Sequence, residues 1–138
     1  MSNPGPASTQ TIHPSNLASN QAIRLLGVLT GINVNAVGDN AIPIQNSSNY
    51  SVSNVIVTNA SISLTTATAG VFTAPSGGGT AIVADAALSA CTGSTVVSQR
   101  TVASTAAQTG QNLYFNVGTA QGAAATVDVY VYGYDFSF

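Results

Sequence analysis

Apolar residues recur at every second position through much of this chain, the period of a strand and not the 3.6 of a helix. The clearest case is residues 126–136, where Val127, Val129 and Val131 fall on one face and Tyr130, Tyr132, Tyr134 and Phe136 on the other. An aliphatic face backed by an aromatic one departs from the apolar-in, polar-out pattern of a half-exposed strand. It reads as a central strand whose valines enter a core. Its aromatic face then lies against the chain's own N-terminal arm or a second subunit. Leu113, Phe115 and Val117 make a matching apolar face just upstream, and residues 118–122 read as a hairpin connection between the two strands.

Towards the N-terminus, Leu26, Val28, Thr30, Ile32, Val34 and Ala36 form a period-two face, so a strand is predicted over residues 26–36. Residues 20–26 offer at most one helical turn, which Gly27 and the β-branched residues after it do not continue. Residues 37–40 read as a turn and 41–44 as a short edge segment, because Pro43 has no N–H to give a ladder. Over residues 50–58 the apolar phase slips from Tyr50 and Val52 to Val55 and Val57, with Ile56 on the other face. Such a slip near Asn54 implies a bulge or burial on both faces. Residues 59–64 carry little pattern. Strands are predicted at 70–74 and 80–84 around a hairpin loop at 75–79, and shorter ones at 88–92, 95–97 and 100–102. About eight short strands with no convincing helix indicate an all-β chain, a β-sandwich of jelly-roll or Greek-key type. Residues 1–22 hold three of the five prolines and many Ser, Asn and Gln, and read as an extended N-terminal arm. Residues 23–138 are then one sandwich domain.

Composition changes the picture of the surface. Charged residues are 4% of 138, against a usual quarter. They are Arg24, Arg100, Asp39, Asp85, Asp128 and Asp135, with no Lys and no Glu. The mixed charge that holds freely diffusing monomers apart is missing, so packing against copies or a larger particle is expected. Two arginines and a net charge of −2 leave little for binding nucleic acid by counterion release. A single Cys91 precludes an internal disulfide and reads as a small buried side chain. No apolar run approaches membrane-spanning length, and no basic-then-apolar secretory signal opens the chain, so synthesis in a cytoplasm is expected.

The residue inventory excludes most site chemistry. Without Lys there is no P-loop and no Schiff base, and Gly77, Gly78 and Gly79 form a hairpin tip. The one histidine, His13, lies in the arm, and no Gly-x-Ser-x-Gly elbow supports a triad. One Cys and one His make no zinc site. Asp128 and Asp135 are an odd number of residues apart and so fall on opposite faces. Asp39 and Asp85 read as turn residues capping their own backbone. Asp39 and Asn40 are what a calcium ion would use, though nothing resembles an EF-hand loop. Acceptor-like Asn46, Asn49 and Asn59 are explained by chance in so Asn- and Ser-rich a chain. No catalytic, cofactor-binding or metal residue is expected. Tyr130, Tyr132 and Tyr134 would serve as a subunit interface or, on an open face, as a sugar-stacking platform.

One resemblance covers roughly residues 25–134. Val55-Ile-Val-Thr-Asn-Ala-Ser-Ile-Ser-Leu-Thr-Thr-Ala, then Gly70-Val-Phe-Thr-Ala with its Gly-rich hairpin, then Leu113-Tyr-Phe and Ala120-Gln-Gly-Ala-Ala-Ala-Thr-Val-Asp-Val-Tyr-Val-Tyr-Gly resemble small tailed-phage and prophage virion proteins. The resemblance implies a non-enzymatic β-sandwich assembled on the virion, such as a capsid decoration or cement subunit, and supplies no site residues. Its partners would be the major capsid protein or other virion proteins and copies of itself, a trimer being expected, with no nucleic acid and no membrane. Ile12, Pro14 and Leu17 of the arm and Tyr130, Tyr132, Tyr134 and Phe136 are the expected contacts. The other reading is a tail or fibre module that binds a cell-surface glycan.

Overall fold

The computed structural model describes residues 23–137. The arm, with Ile12, His13, Pro14 and Leu17, lies outside the described residues. Eight strands follow in order: β1 (Arg24–Asn33), β2 (Gly38–Pro43), β3 (Tyr50–Thr58), β4 (Thr68–Ala74), β5 (Gly78–Ala87), β6 (Val97–Arg100), β7 (Asn112–Thr119) and β8 (Thr126–Asp135). They form two four-stranded antiparallel sheets packed against each other, β1-β8-β3-β6 and β2-β7-β4-β5. The expected all-β sandwich is therefore present, and none of the described residues is helical. Pairing is nested, first strand with last (β1 with β8, β2 with β7, β3 with β6), down to the β4–β5 hairpin.

The core is where the inward faces meet. Val127, Val129 and Val131 of β8 are fully buried, with Leu26, Val55 and Val57 from the same sheet and Ile42, Val71, Ile82, Leu113, Phe115 and Val117 from the other. Burying each such side chain contributes about 1.5–3 kcal/mol. Tyr50 is also buried there, where loss of solvent pushes its pKa up to about 12, and its hydroxyl donates to the Gly110 carbonyl at 2.7 Å. β8 is central, flanked by β1 and β3 as its two apolar faces predict. Pro43 does end an edge strand, and the register of β3 on β8 slips between Val52 and Asn54 as the apolar phase implied.

Several expectations are corrected. β7 and β8 do not form a hairpin: they lie in different sheets, and their apolar faces oppose one another across the core. Residues 120–125 instead carry the chain from one sheet to the other. Gln121 anchors that crossover, its buried side-chain oxygen accepting from the Thr65, Thr66 and Ala67 N–H groups at 3.1 Å each. The even-numbered face of the first strand breaks twice, at bulges between Leu25 and Gly27 and between Leu29 and Ile32. Leu26 and Ile32 point inward while Val28 pairs with Tyr130 on the outside. Arg24, Leu25 and Leu26 are strand, so no helical turn reaches them, and the expected turn at 37–40 begins instead at Val34, with β2 under way by Gly38. Residues 88–92 form a turn whose Leu88 and Cys91 face the core, and of the two short strands expected after it only Val97 and Arg100 are strand, as the two ends of β6. Burial pushes the Cys91 thiol up, away from the reactive thiolate.

Arg100, at the end of β6, bridges the sheets. Its guanidinium donates to the Ala69, Ala86 and Ala87 carbonyls of β4 and β5 at 2.8–3.3 Å. Desolvation lowers its pKa, partly offset by the charge of Asp85.

Candidate functional site: the outer face of the first sheet

Cross-strand neighbours in an antiparallel ladder share a face, so the register fixes what surrounds the tyrosines. Tyr130 lies between Val28 of β1 and Ile56 of β3, and Tyr132 between Leu25 and Asn54. Tyr134 stands beside Ser51. Beyond Ile56 the row continues to Gln99, and Thr58 leads on to the exposed Val97. An apolar and aromatic surface thus runs across all four strands. Its three tyrosines, Leu25, Val28 and Ile56 are each half-buried, held by their neighbours with one side still turned outward.

The backbone makes this face possible at Gly133. A Cβ there would lie 2.0 Å from the Ser51 carbonyl oxygen. Only glycine lets β3 approach β8 this closely between Tyr132 and Tyr134.

The two ends of the face are polar but internally satisfied. Asp128 accepts from the Gly31 N–H at 2.8 Å and the Asn59 amide at 2.9 Å. At the other end Arg24 and Asp135 form an ion pair at 3.0 Å. Arg24 also donates to the carbonyls of Leu25, Gln45 and Asn46, and Asp135 accepts from Ser47 and from the N–H and hydroxyl of Ser137. Desolvation pushes the Asp135 carboxyl up, but the hydrogen bonds from Ser137, Ser47 and Arg24 outweigh it and hold the group well below the usual carboxylate range. This latch joins the start of β1, the end of β8 and the loop after β2. Just outside it, two apolar side chains stand exposed: Ile23, one residue before β1, and Phe136, one residue after β8.

Of the residues singled out from sequence, the structure gathers Tyr130, Tyr132 and Tyr134 on one surface and sets Phe136 at its end. It adds Leu25 and Val28, which the two bulges concealed. Their spacing of three with a glycine between them was the available signal. Asp39 and Asp85 are corrected: both lie on strands. Asp39 accepts from the Ser76 N–H and the Asn116 amide, both at 2.8 Å, and so caps the β4–β5 turn and not its own. Asp85 accepts from the Thr68 hydroxyl at 3.3 Å. Among the described residues no three of His, Cys, Asp or Glu cluster as metal ligands would. A cleft of about 300 Å³ opens between β5 and β6, lined by Val83, Ala86, Ser98, Arg100, Thr101 and Ala103, and no histidine or carboxylate lines it beside the hydroxyls of Ser98 and Thr101.

Comparison with family models, with curated proteins and with solved structures finds no match.

Proposed function

We propose that this chain is a non-enzymatic structural subunit of a phage virion, a capsid decoration or cement protein. It binds the major capsid protein shell and stabilises it through contacts between copies. The observation that carries this reading is the outer face of the first sheet, broad and aromatic in a chain with almost no charge. Exposed apolar surface of that kind marks interaction sites. Tyrosine suits them because it combines buried area with a hydroxyl that still finds a partner. Both arginines are spent inside the domain, on Asp135 and on backbone carbonyls, which leaves little to hold phosphate. The nested pairing of eight strands in two sheets is compatible with the wrapping of a jelly roll, an architecture viral capsid and lectin domains share. That analogy supports the reading at the level of fold only.

A second reading rests on Asn54 beside Tyr132: an amide next to an aromatic ring is what a sugar-binding platform uses, as in a tail or fibre module recognising a cell-surface glycan. Cryo-EM of purified particles decides between them. Regular density over the shell is the expected result, whereas density confined to the tail tip turns the assignment to the glycan module.

A further inference from the structure

The aromatic face has an obvious candidate to cover it. Residues 1–22 contain no Asp, Glu, Lys or Arg, and the face they would meet offers no unpaired charge either, since both oxygens of Asp128 are occupied. Their apolar side chains are few, and Ile12, Pro14 and Leu17 are close in sequence. Drawn out, 12 to 17 spans about 17 Å, against about 13 Å from Tyr130 to Tyr134. Proline-bearing segments suit tyrosine rows, because their backbone needs no ladder and the phenol hydroxyls donate to its carbonyls.

The direction in which the chain enters the sheet says whose face is covered. Ile23 leads straight into β1, an edge strand, at the Tyr134 end of the sheet. Followed backwards from Arg24, the direction of β1 runs past Tyr134 and off the end of the sandwich, away from Tyr132 and Tyr130. Reaching its own face would need a reversal at once. Continuing onward needs none, and 22 residues reach up to about 70 Å, roughly twice the length of the ten-residue β8. Ile23 and Phe136, both exposed at this corner, mark where the segment departs.

We infer that residues 1–22 of one copy seat on the outer face of the first sheet of the next, with Ile12, Pro14 and Leu17 against Tyr130, Tyr132 and Tyr134. This rests on the assembly reading above and names its contact. An arm that leaves one copy for the next makes a head-to-tail contact, which closes into a ring when the rotation permits.

The test uses full-length chains. One carries Leu17→Cys, another Tyr132→Cys, and the two are mixed and mildly oxidised; native Cys91 is buried and stays out of the reaction. Ile56→Cys provides a second position on the face should Tyr132→Cys fold poorly. The expected product is a disulfide between the two different chains, and Leu17→Ser should weaken self-association about tenfold as read by light scattering. A link formed only within a chain bearing both substitutions would mean that the segment covers its own face, and the inference falls. Links between two Tyr132→Cys chains without Leu17→Cys would mean that faces pack on each other, with the same consequence. If no link forms while the wild type remains oligomeric or shell-bound, the arm contact is wrong and the assembly reading survives. If the wild type is also monomeric and absent from the shell, both fail.

Discussion

The two outer faces of this sandwich are built from strands of equal number and similar length, yet they are finished differently. The outside of β1-β8-β3-β6 presents Leu25, Val28, Ile56 and three tyrosines in register, with its charged groups at the ends and Asn54 and Gln99 among the apolar side chains. On the outside of β2-β7-β4-β5, Tyr114 pairs with Ala41 and Phe72, and the next row begins with Asp39 and Asn116. That second face is partly closed by its own chain, because the β4–β5 turn reaches back to Asp39, where the Ser76 N–H donates. Ser76 sits at φ 59°, a left-handed conformation that non-glycine residues adopt at a cost. One face is strapped at its edge by a hydrogen-bonded hairpin. The other has no such strap across its aromatic surface, and that is the face on which the proposed contact is placed.

The largest effect expected from testing this contrast is at Gly133. Gly133→Ala forces a Cβ against the Ser51 carbonyl, and because both atoms belong to paired strands neither can move alone. A loss of about 3 kcal/mol is expected in urea denaturation. A neutral substitution would show that the β3–β8 ladder is looser than described.

Next come paired substitutions of the faces themselves. Tyr132→Ser and Tyr114→Ser remove similar half-buried rings from opposite sides, so each should cost about 1–2 kcal/mol of stability at most. Only Tyr132→Ser should weaken self-association and particle binding in sedimentation and pull-down measurements. Equal effects on association would erase the distinction between the faces.

Asp39→Ala tests the strap on the second face. It removes two hydrogen bonds to a charged acceptor, and a loss of about 1–2 kcal/mol is expected given the exposure of the site. Faster hydrogen exchange at Ser76 should accompany it, with no change in association. If Ser76 exchange is unaltered, the hairpin tip is held by something other than that carboxylate.

Much of the fold was legible in the sequence because alternation assigns faces directly. Val127, Val129 and Val131 against Tyr130, Tyr132 and Tyr134 announced a strand buried on one side with its aromatic rings on the other, and Pro43 announced an edge. Alternation does not assign partners. Leu113, Phe115 and Val117 match the valines of β8 as well across a core as along a ladder, and proximity in sequence favoured the wrong choice. Bulges hide a face in the same way: one extra residue at Gly27 moved Val28 to the outside and broke the even-numbered pattern. Asp39, Gln121 and Arg100 bond to distant backbone, which no local pattern encodes.

A smaller effect is expected at the latch beside the aromatic face. The Asp135 carboxyl titrates below its unfolded value, so it binds its proton more readily when the chain is unfolded. Its contribution to stability is therefore complete above the ordinary carboxylate range, near pH 4. It is lost as pH falls through the lower folded value. Urea midpoints followed from pH 6 downward should fall more steeply for the wild type than for Asp135→Asn. Parallel curves would mean that the hydrogen bonds of Ser47 and Ser137 do not discriminate between the charged and neutral acid.

The smallest expected effect is that of salt on association. At 1 M NaCl the Debye length is about 3 Å, so an interface made of exposed ion pairs would come apart. The aromatic face offers none: Asp128 is bonded to Gly31 and Asn59, and Arg24 and Asp135 are bonded to each other. What remains is apolar area and tyrosine hydroxyls, and burial of apolar area does not weaken as the Debye length shortens. Particle occupancy and oligomer mass should therefore be the same at 0.1 M and 1 M NaCl within measurement error. Elution by salt alone would place the contact on charges of the partner that this face does not match, and would move the binding surface away from the first sheet altogether.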